Sequence, residues 1–146
     1  MRSHLANLLS QVPPAVRRSL AREYLQIYLL RLLHEAQAHS RLAFVGGTAL
    51  RLLHGLPRYS EDLDFCAAPQ PGDDPLDLAA TFASVGRGLV AAGYRIKITA
   101  KAARAVSHAL YRFEGLPREL GWSTDARVAL SIKIEVDTAP PAGARL

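Results

Sequence analysis

The sequence predicts an α+β domain, in which a mixed β-sheet carries helices packed on one face. Helical and extended patterns alternate through the first half of the chain, and three extended segments follow in the second half, an order typical of that class. The 146 residues suffice for one domain, and 49% apolar and 21% charged residues are typical of a globular chain. We expect residues 1–138 to form this domain. Residues 139–146 contain a proline pair and are expected to be a flexible tail or a truncated linker.

A long amphipathic helix is predicted over residues 15–38, after a polar lead-in that ends in two prolines. Apolar residues recur there at spacings of three and four, and charged residues occupy the intervening face. The residues expected to pack on the core are Leu20, Tyr24, Ile27, Tyr28 and Leu32.

Three short elements surround a glycine pair. Residues 42–45 are apolar and predict a buried strand, which Gly46 and Gly47 end. Residues 48–54 predict a helix with Gly55 as its C-cap. Polar and apolar residues alternate over residues 62–65, which predicts a second short strand.

The second half begins with a predicted loop over residues 67–74 and a helix over residues 75–92, capped by Gly93. Residues 94–100, 106–114 and 127–137 are predicted to be extended. The last of these alternates most clearly. Its expected buried face is Val128, Leu130, Ile132, Ile134 and Val136, and its polar face is Ser131, Lys133, Glu135 and Asp137.

Composition excludes several classes of protein. A single cysteine, Cys66, excludes a disulfide framework and a zinc site built from several thiolates. No apolar run reaches the roughly 20 residues of a membrane span, and no secretory signal is recognisable at the N-terminus. We therefore expect a soluble cytoplasmic protein without a membrane partner.

The charge is unevenly distributed along a chain of net charge +5. Residues 61–77 carry six carboxylates and no base, between two basic stretches. This pattern suits a cation site beside a polyanion, although charged surfaces also average out once a chain has folded.

Two local patterns suggest binding sites, one for phosphate and one for a metal ion. The segment Gly46-Gly47-Thr48, between a strand and a helix, is suited to bind phosphate through backbone N–H groups and a hydroxyl, or simply makes a tight turn. Asp62 and Asp64 lie two apart on a strand, so both carboxylates leave the same face. Such a pair binds Mg²⁺ or Mn²⁺, or is solvated at an exposed strand end.

The polar face of the last strand offers a third carboxylate. Glu135 lies there beside Lys133, and Asp137 on the same face is its competitor. A third carboxylate on a neighbouring strand completes a site in which metal ions activate a hydroxyl and hold a phosphate. The alternative is a solvated strand face.

Residues 44–50 and 58–65 read FVGGTAL and RYSEDLDF. In residue type and spacing these segments resemble the signature of the AbiEii/AbiGii-type toxin nucleotidyltransferases, which belong to the DNA polymerase β-like superfamily. The segment IKIEV over residues 132–136 is similar, more loosely, to a later strand of that family.

The resemblance implies a minimal nucleotidyltransferase palm that transfers a nucleoside monophosphate from an NTP to an acceptor. By the same resemblance, Asp62, Asp64 and Glu135 would bind Mg²⁺ or Mn²⁺, and Lys133 would neutralise charge on the phosphate. The residues expected to contact the nucleotide are Gly46, Gly47, Thr48, Arg58 and Ser60. Arg58 has a second expected role, which is to steady the Asp62 strand through Ser60.

The family also implies partners. One is an RNA acceptor, expected to be tRNA because some members modify tRNA ends. The other is a cognate antitoxin of a toxin–antitoxin or phage-defence system. Members of the family usually have a further helical C-terminal part. A truncated or inactive palm that binds nucleotide or RNA and acts through a partner protein is therefore the alternative expectation.

Overall fold

The computed structural model describes residues 2–139 apart from Gln70, Arg104 and Ala126, so residues 140–146 of the predicted tail lie outside the described residues. The helices are α1 (Arg2–Ser10), α2 (Pro14–Glu35), α3 (Gly46–His54), α4 (Leu78–Ala91) and α5 (Leu116–Glu119), with a 3₁₀ turn at Ala38–Ser40. The strands are β1 (Leu42–Val45), β2 (Leu63–Ala67), β3 (Ile96–Lys101), β4 (Val106–Glu114) and β5 (Ala129–Asp137).

The five strands form one mixed sheet in the order β1-β2-β5-β4-β3. Strands β2 and β5 are parallel, and the other three neighbouring pairs are antiparallel. The α+β class and the mixed sheet predicted from the sequence are confirmed.

One face of the sheet is buried under helices. Alternate residues of β4 and β5 are buried, and helices α2 and α4 pack over them. The buried residues are Leu130, Ile132, Ile134 and Val136 on β5, and Ser107, Ala109, Tyr111 and Phe113 on β4. The hydroxyl of Tyr111 donates a hydrogen bond to the Phe82 carbonyl of α4, which joins the two layers. The residues between them are exposed or half-buried, so we call the other side the open face. Val128 precedes the strand and is exposed, contrary to its predicted place on the buried face.

Helix α2 begins one residue before and ends three residues before the predicted bounds, and most of its predicted core residues pack on the core. The buried residues are Ala21, Leu25, Gln26, Leu29, Leu32 and Leu33. Of the predicted core residues only Leu32 is fully buried, and Ile27 is 52% exposed. Leu20, Tyr24 and Tyr28 are half-buried and pack against the core, so of the five predicted core residues only Ile27 was wrong. Neither α2 nor another helix within the described residues is long and apolar enough to cross a membrane.

Two short helices were not predicted. The segment read as a polar lead-in forms α1, which buries Leu5 and Leu9, two residues one turn apart. A four-residue helix, α5, follows Gly115 and buries Leu116. Both helices are too short for a periodic apolar pattern to stand out in the sequence.

Two boundaries near the glycine pair also differ from the prediction. Helix α3 begins at Gly46 rather than at residue 48, so both glycines lie in its first turn. Strand β2 begins at Leu63 rather than at residue 62, so Asp62 is the last residue before the strand.

The burial of Leu29 and the exposure of Ile27 on α2 can be tested by replacing each side chain with alanine. We expect Leu29→Ala, at a fully buried position, to lower the free energy of unfolding by about 2–5 kcal/mol. Ile27→Ala should lower it by less than about 1 kcal/mol, because the side chain is half exposed and alanine favours helix. Urea unfolding measures both, and equal losses would contradict the observed packing.

Candidate active site

The first turn of α3 lies against the β2 carboxylate. Gly46 has φ +78°, and a Cβ added to it would lie 2.4 Å from Asp64 Oδ2. A Cβ added to Gly47 would lie 3.0 Å from Ser60 Oγ. Gly46 is therefore required by its positive φ and by the approach of Asp64, whereas a Cβ at Gly47 would need only a small shift of the Ser60 hydroxyl. The first turn of α3, with its free N–H groups, lies beside Asp64 and Ser60.

Thr48 positions the backbone at Asp62. Its side chain is buried, and its hydroxyl donates a 2.5 Å hydrogen bond to the Asp62 carbonyl oxygen. The hydroxyl that the sequence suggested for phosphate binding is thus engaged within the protein. It fixes the residue at which the chain enters β2.

One charged cluster lies on the open face and consists of Asp62, Asp64, Lys133 and Glu135. Register places Asp64 directly opposite Glu135 across the parallel pair of β2 and β5. Lys133 Nζ lies 2.9 Å from Glu135 Oε2 and 3.9 Å from Asp62 Oδ2. The structure therefore brings together the four charged residues that the sequence selected from two distant segments.

The cluster carries more negative charge than positive charge. Burial, and then the charges of Asp62 and Glu135, raise the pKa of Asp64, while Lys133 opposes the shift. The hydrogen bond to Glu135 raises the pKa of Lys133, which keeps the ammonium charged at neutral pH. Three carboxylates thus share one ammonium.

Asp137, the competing third carboxylate, lies two residue pairs further along the sheet. It is opposite Cys66 rather than Asp64, and its Oδ1 accepts a hydrogen bond from the Ala139 N–H. Glu135, and not Asp137, is among the charges that raise the pKa of Asp64. The geometry groups Glu135 with the aspartates.

Helix α2 holds the chain just before Asp62. The buried amide of Gln26 donates a hydrogen bond of 3.1 Å to the Ser60 carbonyl. One turn earlier, Arg22 forms an ion pair of 2.5 Å with Glu61. These contacts join residues more than 30 positions apart, and no local sequence pattern marks them.

Arg51 of α3 organises the loop that leads to this segment. Its guanidinium pairs with Glu23 of α2 and donates hydrogen bonds to the carbonyls of Leu56 and Pro57, at 3.1 and 3.0 Å. The same group lies 3.8 Å from the centroid of the Tyr59 ring. No local sequence pattern marks Arg51 for this role.

Arg58 is exposed, and no hydrogen bond or ion pair joins it to another residue in the described part of the chain. The steadying role suggested for it is carried instead by Arg51, Arg22 and Gln26, while its expected contact with a phosphate stays a prediction. Ser60 lies at the site, against Gly47.

The donor chemistry of the cluster suits a hard divalent cation, because it offers carboxylate oxygens and little compensating positive charge. A side chain at Gly46 would occupy the space beside Asp64 Oδ2. Among the described residues, however, no group of three or more histidine, cysteine, aspartate or glutamate side chains is arranged to hold a metal ion. Two of the three carboxylates are turned toward the Lys133 ammonium.

The five-stranded mixed sheet with its helices is compatible with a minimal nucleotidyltransferase fold. Residues 27–145 match the family described as nucleotidyl transferase AbiEii toxin, type IV toxin–antitoxin system. The chain belongs to this AbiEii family of nucleotidyltransferase toxins. No protein of curated function matches the chain.

Two solved structures are similar to the chain. The crystal structure of JHP933 from Helicobacter pylori superimposes with a TM-score of 0.53 at 22% identity, over 86% of this chain and 47% of the other. A second H. pylori structure has a TM-score of 0.48 at 22% identity, over 80% of this chain and 46% of the other. The first supports the fold, and the chain spans about half the length of both.

Removing the Asp64 charge should stabilise the protein. A carboxyl whose folded pKa is raised costs stability as pH rises from its unfolded value, near 3.9, through the folded pKa. We therefore expect Asp64→Asn to unfold at a higher temperature than the wild type at pH 7 in metal-free buffer, with the gain shrinking below about pH 4.

The matched control is Asp74→Asn, an exposed loop carboxylate outside the cluster, which should change stability by less than about 0.5 kcal/mol at either pH. Thermal unfolding at the two pH values measures both variants. A loss of stability in Asp64→Asn that does not depend on pH would contradict this electrostatic description.

Proposed function

We propose that the chain is the nucleotidyltransferase domain of a toxin and that it transfers a nucleoside monophosphate from an NTP to an RNA acceptor. The observation that carries the proposal is the convergence of Asp62, Asp64, Glu135 and Lys133 beside the first turn of α3. Membership of the AbiEii family supports the reaction class.

In the proposed reaction, a hydroxyl oxygen of the acceptor forms a bond to the α-phosphorus of the NTP. The bond from that phosphorus to the bridging oxygen breaks, and pyrophosphate leaves. Glu135 accepts the hydroxyl proton, and the Lys133 ammonium, 2.9 Å from Glu135, offsets negative charge that develops on the phosphate. Glu135 is preferred to Asp137 for this role because it lies opposite Asp64.

The NTP is placed at the glycine-initiated end of α3. Backbone N–H groups of Gly46, Gly47 and Thr48 are in the first turn, where four donors of any helix lack intrahelical partners. The Ser60 hydroxyl is adjacent, and the exposed Arg58 guanidinium is free to reach a phosphate oxygen.

Asp62, Asp64 and Glu135 are the residues that would hold Mg²⁺ or Mn²⁺. When bound, such an ion supplies Lewis-acid activation of the hydroxyl and charge compensation on the phosphates. The excess of negative charge at Asp64 supports a cation there. Binding requires Asp62 and Glu135 to turn from Lys133.

The acceptor is proposed to be tRNA, in keeping with the net charge of +5 and the family resemblance. NTPs and tRNA are cytoplasmic molecules, so the proposal places the protein in the cytoplasm. The type IV toxin–antitoxin family supports a cognate antitoxin as a partner, and phage defence as the role of the pair.

A second candidate is a domain that binds nucleotide or RNA without transfer. The ion pairs of Lys133 favour it, because they engage two of the three carboxylates that a metal would need. The experiment below separates the two candidates.

Transfer is tested by incubating the protein with Mg²⁺ or Mn²⁺, each labelled NTP in turn and total bacterial tRNA. We expect label on the RNA, and a loss of at least about 100-fold in Asp62→Asn and in Asp64→Asn, because each removes a charge from the reacting centre. Asp74→Asn is the control and should retain activity. Undiminished transfer in both site variants would refute the proposal, and NTP binding without transfer would favour the second candidate.

The effect of the contact between position 46 and Asp64 can be separated from the backbone strain that alanine has at any positive φ. Gly55 has φ +70° with no atom within 4 Å of an added Cβ, whereas at Gly46 an added Cβ meets Asp64. Each alanine variant should lose about 1–2 kcal/mol of stability from the left-handed conformation, and Gly46→Ala should lose more because its Cβ must displace the Asp64 side chain. We expect only Gly46→Ala to lose transfer, by at least about 100-fold. Equal activity in the two variants would show that the contact with Asp64 is unimportant.

A further inference from the structure

The open face of the sheet is divided by charge. The acidic half, on β2 and β5, carries the carboxylates of the site. The other half, on β3 and β4, carries three exposed cations that we call the basic half: Lys97, Lys101 and Arg112. His108 lies between the two halves, opposite Glu135, and Glu114 is at the far end of β4.

Register shows that the two halves are one continuous surface. Lys97 is opposite Arg112, and Arg112 is opposite Ser131. Ser131 alternates with Lys133 and Glu135 along β5, so all of these side chains leave the same face. The intervening Ile98 points the other way, because its Cδ1 lies 2.2 Å from where a Gly86 Cβ would be on α4.

The basic half is not neutralised by the protein. Lys97 and Arg112 are directly opposite each other, and like charges in that arrangement destabilise a sheet. Within the described part of the chain, none of the three cations forms an ion pair with a carboxylate. A cationic surface of this kind suits a polyanion.

The position of the basic half favours the acceptor over the NTP. The proposed triphosphate site at α3 is on the β1 side of the carboxylates, and the basic half is on the β4–β3 side. Lys101 is two strands from Glu135, which is about 10 Å across the sheet. Lys97 is four residues from Lys101, which is about 13 Å along β3. A nucleic-acid strand that ends at the site is long enough to reach all three cations.

We propose that the basic half binds the phosphodiester backbone of the acceptor RNA and directs its reacting end to Glu135. This inference rests on the proposed function, whose acceptor it places. Because Lys97, Lys101 and Arg112 would contact phosphates rather than bases, the surface positions the strand without selecting its sequence.

The test is binding of fluorescently labelled total bacterial tRNA as a function of salt concentration. The variant Lys97→Glu/Arg112→Glu should bind at least about 10-fold more weakly at 0.1 M salt, and its slope of log affinity against log salt should be shallower by about 1.4, or 0.7 for each lost phosphate contact. The control, Arg18→Glu/Arg87→Glu, makes the same charge change at exposed positions on α2 and α4 and should stay within about threefold of the wild type.

The outcomes separate this inference from the proposed function. Wild-type affinity in the Lys97/Arg112 variant, an equal loss in the control, or no binding of tRNA by the wild type would overturn the binding surface. If the wild type transfers no label and yet the affinity falls only in the Lys97/Arg112 variant, the binding surface stands and the proposed transfer fails. If Asp64→Asn loses transfer while both double variants bind and react as the wild type does, the transfer stands and the surface fails.

Discussion

The parallel pairing of β2 with β5 is the constraint on which the rest of the site depends. On the buried side it packs Leu63 and Phe65 beside Ile134 and Val136. A slip of one residue would turn these apolar side chains outward, so the core fixes the register. The same register places Asp64 opposite Glu135 on the open face. The hydrophobic core thereby holds like charges together that would otherwise separate.

Helices α2 and α3 supply the remaining positional control. From α2, Gln26 and Arg22 hold residues 60 and 61 just before β2, and Glu23 holds Arg51, which binds the preceding loop. From α3, Thr48 holds the Asp62 carbonyl. Asp62 itself lies outside the strand, so its backbone is not fixed by the sheet ladder. These side-chain contacts replace the ladder at the point where the chain enters the site.

Sequence reasoning could find the parts of this arrangement that are local. The alternation along β5 predicted its buried face from Leu130 to Val136, and the glycine pair and Asp62-x-Asp64 stood out by spacing. It could not find Arg51 or Gln26, because their partners are distant in the chain, and it misplaced Ile27 of α2, which is half exposed. The pairing of Lys97 with Arg112 likewise exists only once β3 and β4 are in register. The assignment of Asp62, Asp64 and Glu135 to a metal stays a prediction.

The most direct measurement of the central claim is paramagnetic broadening of backbone amide signals in the NMR spectrum when substoichiometric Mn²⁺ is added. The chain has two acidic clusters, the one at the site and the one formed by Asp73, Asp74 and Asp77. We expect the signals of residues 46–48, 62–64 and 133–135 to broaden first and together, because these segments meet at the site. Broadening confined to residues 73–77, with the site signals unchanged, would contradict the claim that β2, β5 and the start of α3 form one cation-binding centre.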